Sequence, residues 1–126
     1  MGKSLTGVLT LAILSLVIAD RASAAGDAAA GKTVFQSNCA ICHAVEPGVN
    51  KVGPSLAGVV GRKSGSVPNF SYSSAMKAAD KTWDPQTLNT YLENPMQVVK
   101  GTKMIFPGVK SETDRQNLIA YLETLK

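Results

Sequence analysis

The sequence predicts an all-α domain on three observations. Polar capping residues stand at the heads of several segments, apolar residues recur at three- and four-residue steps near the C-terminus, and strand signals are poor. The first 25 residues stand apart from this pattern. Lys3 supplies a basic start, Leu5 to Ala19 is almost wholly apolar, and Ala22-Ser23-Ala24-Ala25 offers small residues for processing after Ala24 or Ala25. That arrangement reads as a secretory signal peptide over 1–25. Its apolar stretch of about 15 residues falls short of the roughly 20 that a membrane helix needs, so no stable membrane insertion is expected. Residues 26–126 then form one domain of about 100 residues, whose core is marginal unless something large and apolar fills it.

Within that domain, Asp27 is expected to cap a helix from Ala28 to about Asn38. Residues 44–69 carry Gly48, Gly53-Pro54, Gly58, Gly61 and Gly65, a composition that predicts an irregular loop. Loops of that length inside a compact domain usually wrap something functional. A short helix is expected over Ser73 to Ala79. Asp84-Pro85 pairs an N-cap with proline at the first helical position, and the helix it opens should run to about Glu93 and stop before Pro95. Ser111 and Asp114 resemble a capping box for the last helix, on which Leu118, Tyr121, Leu122 and Leu125 form one buried stripe.

Charge narrows the function classes. Without Lys3, Arg21 and Asp20 of the export segment, the 13 basic and 9 acidic residues leave a net charge of +3. That is mildly basic, with no Lys/Arg-rich block, so nucleic acid is not an expected partner. Modest steering toward acidic partners is compatible with it.

The chemistry concentrates in Cys39-Ala40-Ile41-Cys42-His43. Two thiols spaced i, i+3 lie on one face of a helical turn and can form thioether bonds to the two vinyl groups of one haem. The adjacent imidazole then meets the iron, and this spacing is the covalent attachment signature of haem c. Both cysteines of the chain lie in the motif, so no disulfide framework is available. A structural zinc site would want four ligands where this cluster offers three. A dithiol oxidoreductase would need a βαβ context that the helical pattern does not supply.

His43 is the only histidine in the sequence. A second axial ligand must therefore be Met or Lys. Met104 sits between two predicted helices in the segment Lys100 to Gly108, whose glycines permit chain reversal, and its thioether can reach the ring face opposite His43. Met76 and Met96 read better as gap-filling hydrophobes, so the residues favour Met104. A haem enzyme or gas-binding protein with a labile sixth ligand is the alternative, but no distal His or Arg stands beside a vacant site.

Several runs resemble one family in order along the chain: the motif at 39–43, Val52-Gly-Pro-Ser-Leu56, Gly61-Arg-Lys63, Tyr91-Leu-Glu-Asn-Pro95, Gly101-Thr-Lys-Met-Ile-Phe106 and Asn117-Leu-Ile-Ala-Tyr-Leu122. From about Gly31 to Leu125 the chain resembles class I c-type cytochromes, the mitochondrial-type carriers and their bacterial relatives. The resemblance implies four to five helices wrapped around one covalent haem c, with crossing first and last helices and with His43 and Met104 as metal ligands. It implies that the Pro54 carbonyl accepts the imidazole N–H, that Arg62, Tyr72 and Trp83 hold a buried propionate, and that Tyr91 and Thr102 lie on the Met side of the pocket. Gly31 and Phe35 match positions that cross the last helix at Leu118 and Tyr121.

The same resemblance implies a soluble, monomeric one-electron carrier in a bacterial periplasm, not an enzyme. Its donor would be a cytochrome bc complex or a periplasmic dehydrogenase. Its acceptor would be a terminal oxidase, a peroxidase or a photosynthetic reaction centre, in a respiratory or photosynthetic chain. Three departures stand out. Met76 occupies a position that is usually Asn and should dry the Met side. Asn38, Met96 and Gln97 stand where mitochondrial-type carriers have lysines, leaving Lys51, Lys100, Lys103 and Lys110 for docking. Pro107 replaces a small residue beside Phe106, which should stiffen the ligand loop.

Overall fold

The computed structural model describes Gly2 and residues 26–126. The export segment expected over 1–25 lies, apart from Gly2, outside the described residues. Five helices follow one another: α1 Ala28–Asn38, α2 Ser74–Ala78, α3 Pro85–Glu93, α4 Pro95–Val98 and α5 Glu112–Glu123. Among the described residues no strand forms; Lys63 and Thr82 make an isolated antiparallel bridge.

Local chemistry sets the helix starts. The Asp27 carboxylate accepts from the N–H groups of Ala29 and Ala30, Ser73 Oγ from Met76, and Asp84 Oδ1 from Thr87 at 2.8 Å. Each satisfies donors that a first helical turn leaves without a partner. The backbone N–H bond from Thr87, followed by that residue's hydroxyl, also holds the exposed Asp84 carboxyl below its ordinary range. Ser111 Oγ accepts from the Asp114 N–H, which is one half of the expected capping box. The helix expected over Ser73 to Ala79 has those two residues as its caps rather than its ends.

The helix that stops before Pro95 is followed at once by another. Asn94 takes an extended φ of −153° and ψ of 77°, and Pro95 then occupies the first position of α4. A proline cannot continue α3, yet it is preorganised to start a new turn. The sequence reading of Pro95 as a stop therefore missed α4.

Helices α1 and α5 cross in close contact and carry the core. Phe35 and Tyr121 pack with ring centroids 5.5 Å apart, and Leu118 and Leu122 are buried beneath them. Tyr121 is only partly buried, and Leu125 lies just past the end of α5. The crossing is also fastened at its end, where the Asp27 N–H donates to Asn117 Oδ1 at 2.8 Å. Helix α3 adds Leu88, Tyr91 and Leu92 to the same core, joined by Val59, Trp83, Val99 and Val109. Around it, apolar residues from four segments face the core but stay only partly covered: Cys39 and Ala40, Leu56, Ala75 and Met76, Met104 and Phe106.

Candidate haem site

The motif forms the turn that ends α1. The Ala40 N–H donates to the Phe35 carbonyl, and those of Cys42 and His43 both donate to the Cys39 carbonyl, which keeps the chain in tight turns through the two thiols. Burial first, and Cys42 second, push the Cys39 thiol up to about 11. Both thiols are free and partly buried.

His43 is held from one side. Its Nδ1 lies 2.8 Å from the Pro54 carbonyl oxygen. A carbonyl can only accept, so Nδ1 carries the proton and Nε2 keeps its lone pair. Burial lowers the imidazole's pKa from its ordinary value and outweighs the opposing hydrogen bond to the Pro54 carbonyl, with Arg62 and Lys51 lowering it further. A neutral ring with one nitrogen committed and the other unshared is a metal donor in waiting. The turn at 51–53 presents Pro54. Gly53 N–H donates to the Cys42 carbonyl at 2.8 Å, and Lys51 N–H to the Gly53 carbonyl at 2.9 Å.

Arg62, Trp83 and Tyr72 come from the Gly-rich segment and the chain before α3. A backbone clasp brings the first two together: Gly61 N–H donates to the Trp83 carbonyl, Trp83 N–H to that of Arg62, and Ser64 N–H to that of Lys81. Arg62 spends one nitrogen on the Ala57 carbonyl at 2.9 Å, but its Nε is buried without a protein partner. Burial lowers its pKa, with a smaller opposing influence from Tyr72. The Tyr72 hydroxyl accepts the Val67 N–H at 3.0 Å, so its own proton remains to be given. An orphaned guanidinium N–H and an unspent hydroxyl proton together suit a carboxylate.

Trp83 and Tyr91 pack with ring centroids 4.7 Å apart, and burial raises the Tyr91 hydroxyl to about 12. Met104 is partly buried against the core, and its N–H donates to Thr102 Oγ1 at 3.4 Å. The other two methionines differ from each other. Met76 is partly buried against the core as a gap-filler should be, whereas Met96 is 40% exposed and fills no gap.

These residues fit a haem by two independent features of the molecule. The half-covered apolar side chains form walls for a large apolar group, and the orphaned Nε of Arg62 calls for an anionic acceptor. Sequence reasoning missed one buried charge nearby. Arg115 of α5 is 5% exposed and bonds to Asn89 Oδ1 and to the carbonyls of Val109 and Lys110, each at 2.9 Å. Read along the chain, it is an ordinary surface arginine.

The comparisons with known proteins agree with the site. A cytochrome c family model matches residues 28–126. The chain is 50% identical over 101 residues to a cytochrome c of Euglena viridis, covering 80% of this chain and 99% of that one. It is 51% identical over 111 residues to a cytochrome c2 of Rhodomicrobium vannielii, covering 87% and 88%. Among solved structures, cytochrome cH from Methylobacterium extorquens superposes with a TM-score of 0.73 at 43% identity, covering 79% of this chain and 99% of that one. With CxxCH at 39–43, five helices and these relatives, the chain belongs to the cytochrome c family as a class I c-type cytochrome, an electron carrier with one covalent haem c rather than an enzyme.

Proposed function

We propose that the mature protein is residues 26–126, freed of its export segment, and that it works as a soluble carrier in the periplasm in which His43 and Met104 would ligate the haem iron. When bound, haem c supplies one-electron chemistry between Fe(III) and Fe(II), and thioether ligation raises its potential. The residues divide the remaining work. Cys39 and Cys42 retain the group covalently. Pro54 fixes the tautomer and aim of His43, whose Nδ1 it holds at 2.8 Å, and this bond is the single observation that most supports the reading. Arg62, Tyr72 and Trp83 satisfy a buried propionate, while Tyr91 and Thr102 line the Met side.

The test is spectroscopic and by mass. Denatured protein should retain the mass of one haem, because thioether bonds survive unfolding. The oxidised protein should show the weak near-infrared absorption of a Met–Fe(III) bond. Met104→Ala should abolish that band, and Met76→Leu or Met96→Leu should leave it. A band that survives Met104→Ala would refute the ligand assignment.

Partners follow from the surface. Ile41 sits between the two cysteines, Val52 within the turn that presents Pro54, and Ile105 directly after Met104; they are 81%, 79% and 85% exposed. With the 40% exposed Met96, these are the apolar side chains this reading assigns to a docking face at the haem edge. The nearby cations are restrained, since Lys51 Nζ lies on the Ala40 carbonyl and Lys103 Nζ on that of Ser71 at 3.3 Å. The donor is a cytochrome bc complex or periplasmic dehydrogenase, and the acceptor a terminal oxidase, peroxidase or reaction centre, each meeting this face mainly by apolar contact. Electron-transfer rates with native membranes should therefore change by less than about threefold when ionic strength rises from roughly 20 to 200 mM. A steep fall with added salt would count against apolar docking.

A further inference from the structure

We infer that Arg115 is a positioning residue for Met104, acting as the latch of the loop that presents the thioether. The inference rests on the reading of Met104 as the sixth ligand. Between Thr102 and Val109 the backbone of the ligand loop makes no backbone hydrogen bond of its own; the Met104 N–H reaches only the Thr102 hydroxyl. A segment without its own ladder takes its shape from its two ends. The near end is held where Thr102 N–H donates to the Val99 carbonyl at 3.2 Å and where Val99 N–H donates to that of Pro95 at 3.0 Å.

The far end is held by Arg115. One guanidinium nitrogen, Nη1, donates to both the Val109 and the Lys110 carbonyls, and Nε donates to Asn89 on α3. Helix α5 thereby grips the loop exit and α3 with one side chain. Two further bonds seat the exit on α3: Val109 N–H donates to the Leu92 carbonyl at 2.7 Å, and Lys110 Nζ to that of Glu93 at 2.6 Å. Val109 itself is buried. Without the guanidinium, two carbonyls and an Asn amide would be left short of a charged donor in a largely dry site. Lysine keeps the charge but not the fork that reaches three acceptors.

The loop is thus closed by a side chain five to six residues beyond the carbonyls it holds and eleven beyond Met104. Loosening the latch should favour local opening of the loop, which exposes the sixth coordination position without unfolding the crossing of α1 and α5. Imidazole reports that opening, because it can bind the iron only when Met104 has left.

The experiment titrates the purified, haem-loaded, oxidised protein with imidazole and follows loss of the near-infrared band. Arg115→Met should bind imidazole about tenfold more tightly than wild type, in keeping with loss of a charged hydrogen bond. Arg115→Lys should fall between the two. Leu118→Val, fully buried on the same helix, lowers global stability without touching the latch, and should change imidazole affinity by less than about twofold. If Arg115→Met does not fold, Arg115→Lys and Asn89→Ala carry the test, each expected to tighten imidazole by about threefold. The inference is overturned if these variants leave affinity unchanged, or if Leu118→Val shifts it as much for the same loss of stability. A wild-type protein lacking the near-infrared band would instead overturn the Met104 assignment, and that failure shows before any imidazole is added.

Discussion

Gly31→Ala should destabilise the domain by about 3 kcal/mol or more, the upper end of what overpacking costs. Helix propensity argues the other way, since alanine in a helix interior is worth about 1 kcal/mol over glycine. The close approach of α1 to α5 decides the sign. A Cβ built on Gly31 would overlap the carbonyl oxygen and carbon of Asn117 and come within 2.9 Å of Tyr121 Cβ. The obstacle is backbone in the middle of a helix, so no side-chain rotation relieves it. The helices would have to part. That movement strains the Asp27–Asn117 bond and the Phe35–Tyr121 contact together and opens the burial of Leu118.

A domain of this size has roughly 5–15 kcal/mol in total, and each kcal/mol moves its melting temperature by about 4–8 °C. The expected drop is therefore on the order of 12–24 °C, read by helical circular dichroism during heating. Gln36→Ala, exposed on the same helix, should stay within about 0.5 kcal/mol of wild type. A Gly31→Ala protein as stable as wild type would mean that the crossing is not the support of the fold.

What could be read from sequence here was local, and what could not was assembled across distance. The caps of α1, α3 and α5 depend on one side chain reaching an N–H two or three residues on, so Asp27, Asp84 and Ser111 announced them. The stripe through Leu118 and Leu122 is likewise a property of one helix. Helix α4 escaped because Pro95 is both a stop for the helix before it and a start for the one after; only the extended Asn94 separates these meanings. Arg115 escaped for a different reason. Its acceptors lie on α3 and in the chain before α5, and nothing in the spacing of Asn89, Val109 and Lys110 shows that they converge.

The candidate site divides in the same way. The motif and the lone histidine are readable from composition and spacing. The orphaned Nε of Arg62 is not, because it exists only once the clasp through Gly61, Trp83 and Ser64 has folded the Gly-rich loop back on itself. The resemblance to c-type cytochromes brought Arg62 and Trp83 forward, and the clasp gives the physical reason why they stand together. The contrast between Met76 and Met96 was also invisible in sequence. Both are thioethers near helix ends, and their environments alone separate a packing residue from an exposed one.

Gly53→Ala should impair His43 more than any substitution that leaves the histidine itself in place. A Cβ on Gly53 would overlap Cε1 of the imidazole and lie 2.6 Å from Nδ1 and 2.8 Å from Nε2. Either the turn or the ring must move. The turn is fixed by Gly53 N–H to the Cys42 carbonyl, by Lys51 N–H to the Gly53 carbonyl and by Asn50 Oδ1, which accepts the Ser55 N–H at 3.0 Å. Among protein groups the imidazole has one anchor, the Pro54 carbonyl, against three for the turn, so the ring is the part that yields. Rotation breaks that bond and releases the tautomer that keeps Nε2 free. Loss of such an outer bond to a metal-ligating histidine typically costs 10- to 100-fold in metal affinity.

The attachment through Cys39 and Cys42 does not depend on the ring, so haem should remain covalently bound while the ligation proposed for His43 weakens. Oxidised Gly53→Ala is expected to show a high-spin fraction in its absorption spectrum and to bind cyanide more readily than wild type. Val52→Ala, one residue away and 79% exposed, changes the same turn without approaching the ring and should leave both readouts unchanged. A fully low-spin Gly53→Ala protein with unaltered cyanide affinity would show that the close approach of this turn does not orient His43. On the proposed ligation, the absence of a side chain at residue 53 is what lets the imidazole keep its orientation, because a Cβ there would take the space its ring fills.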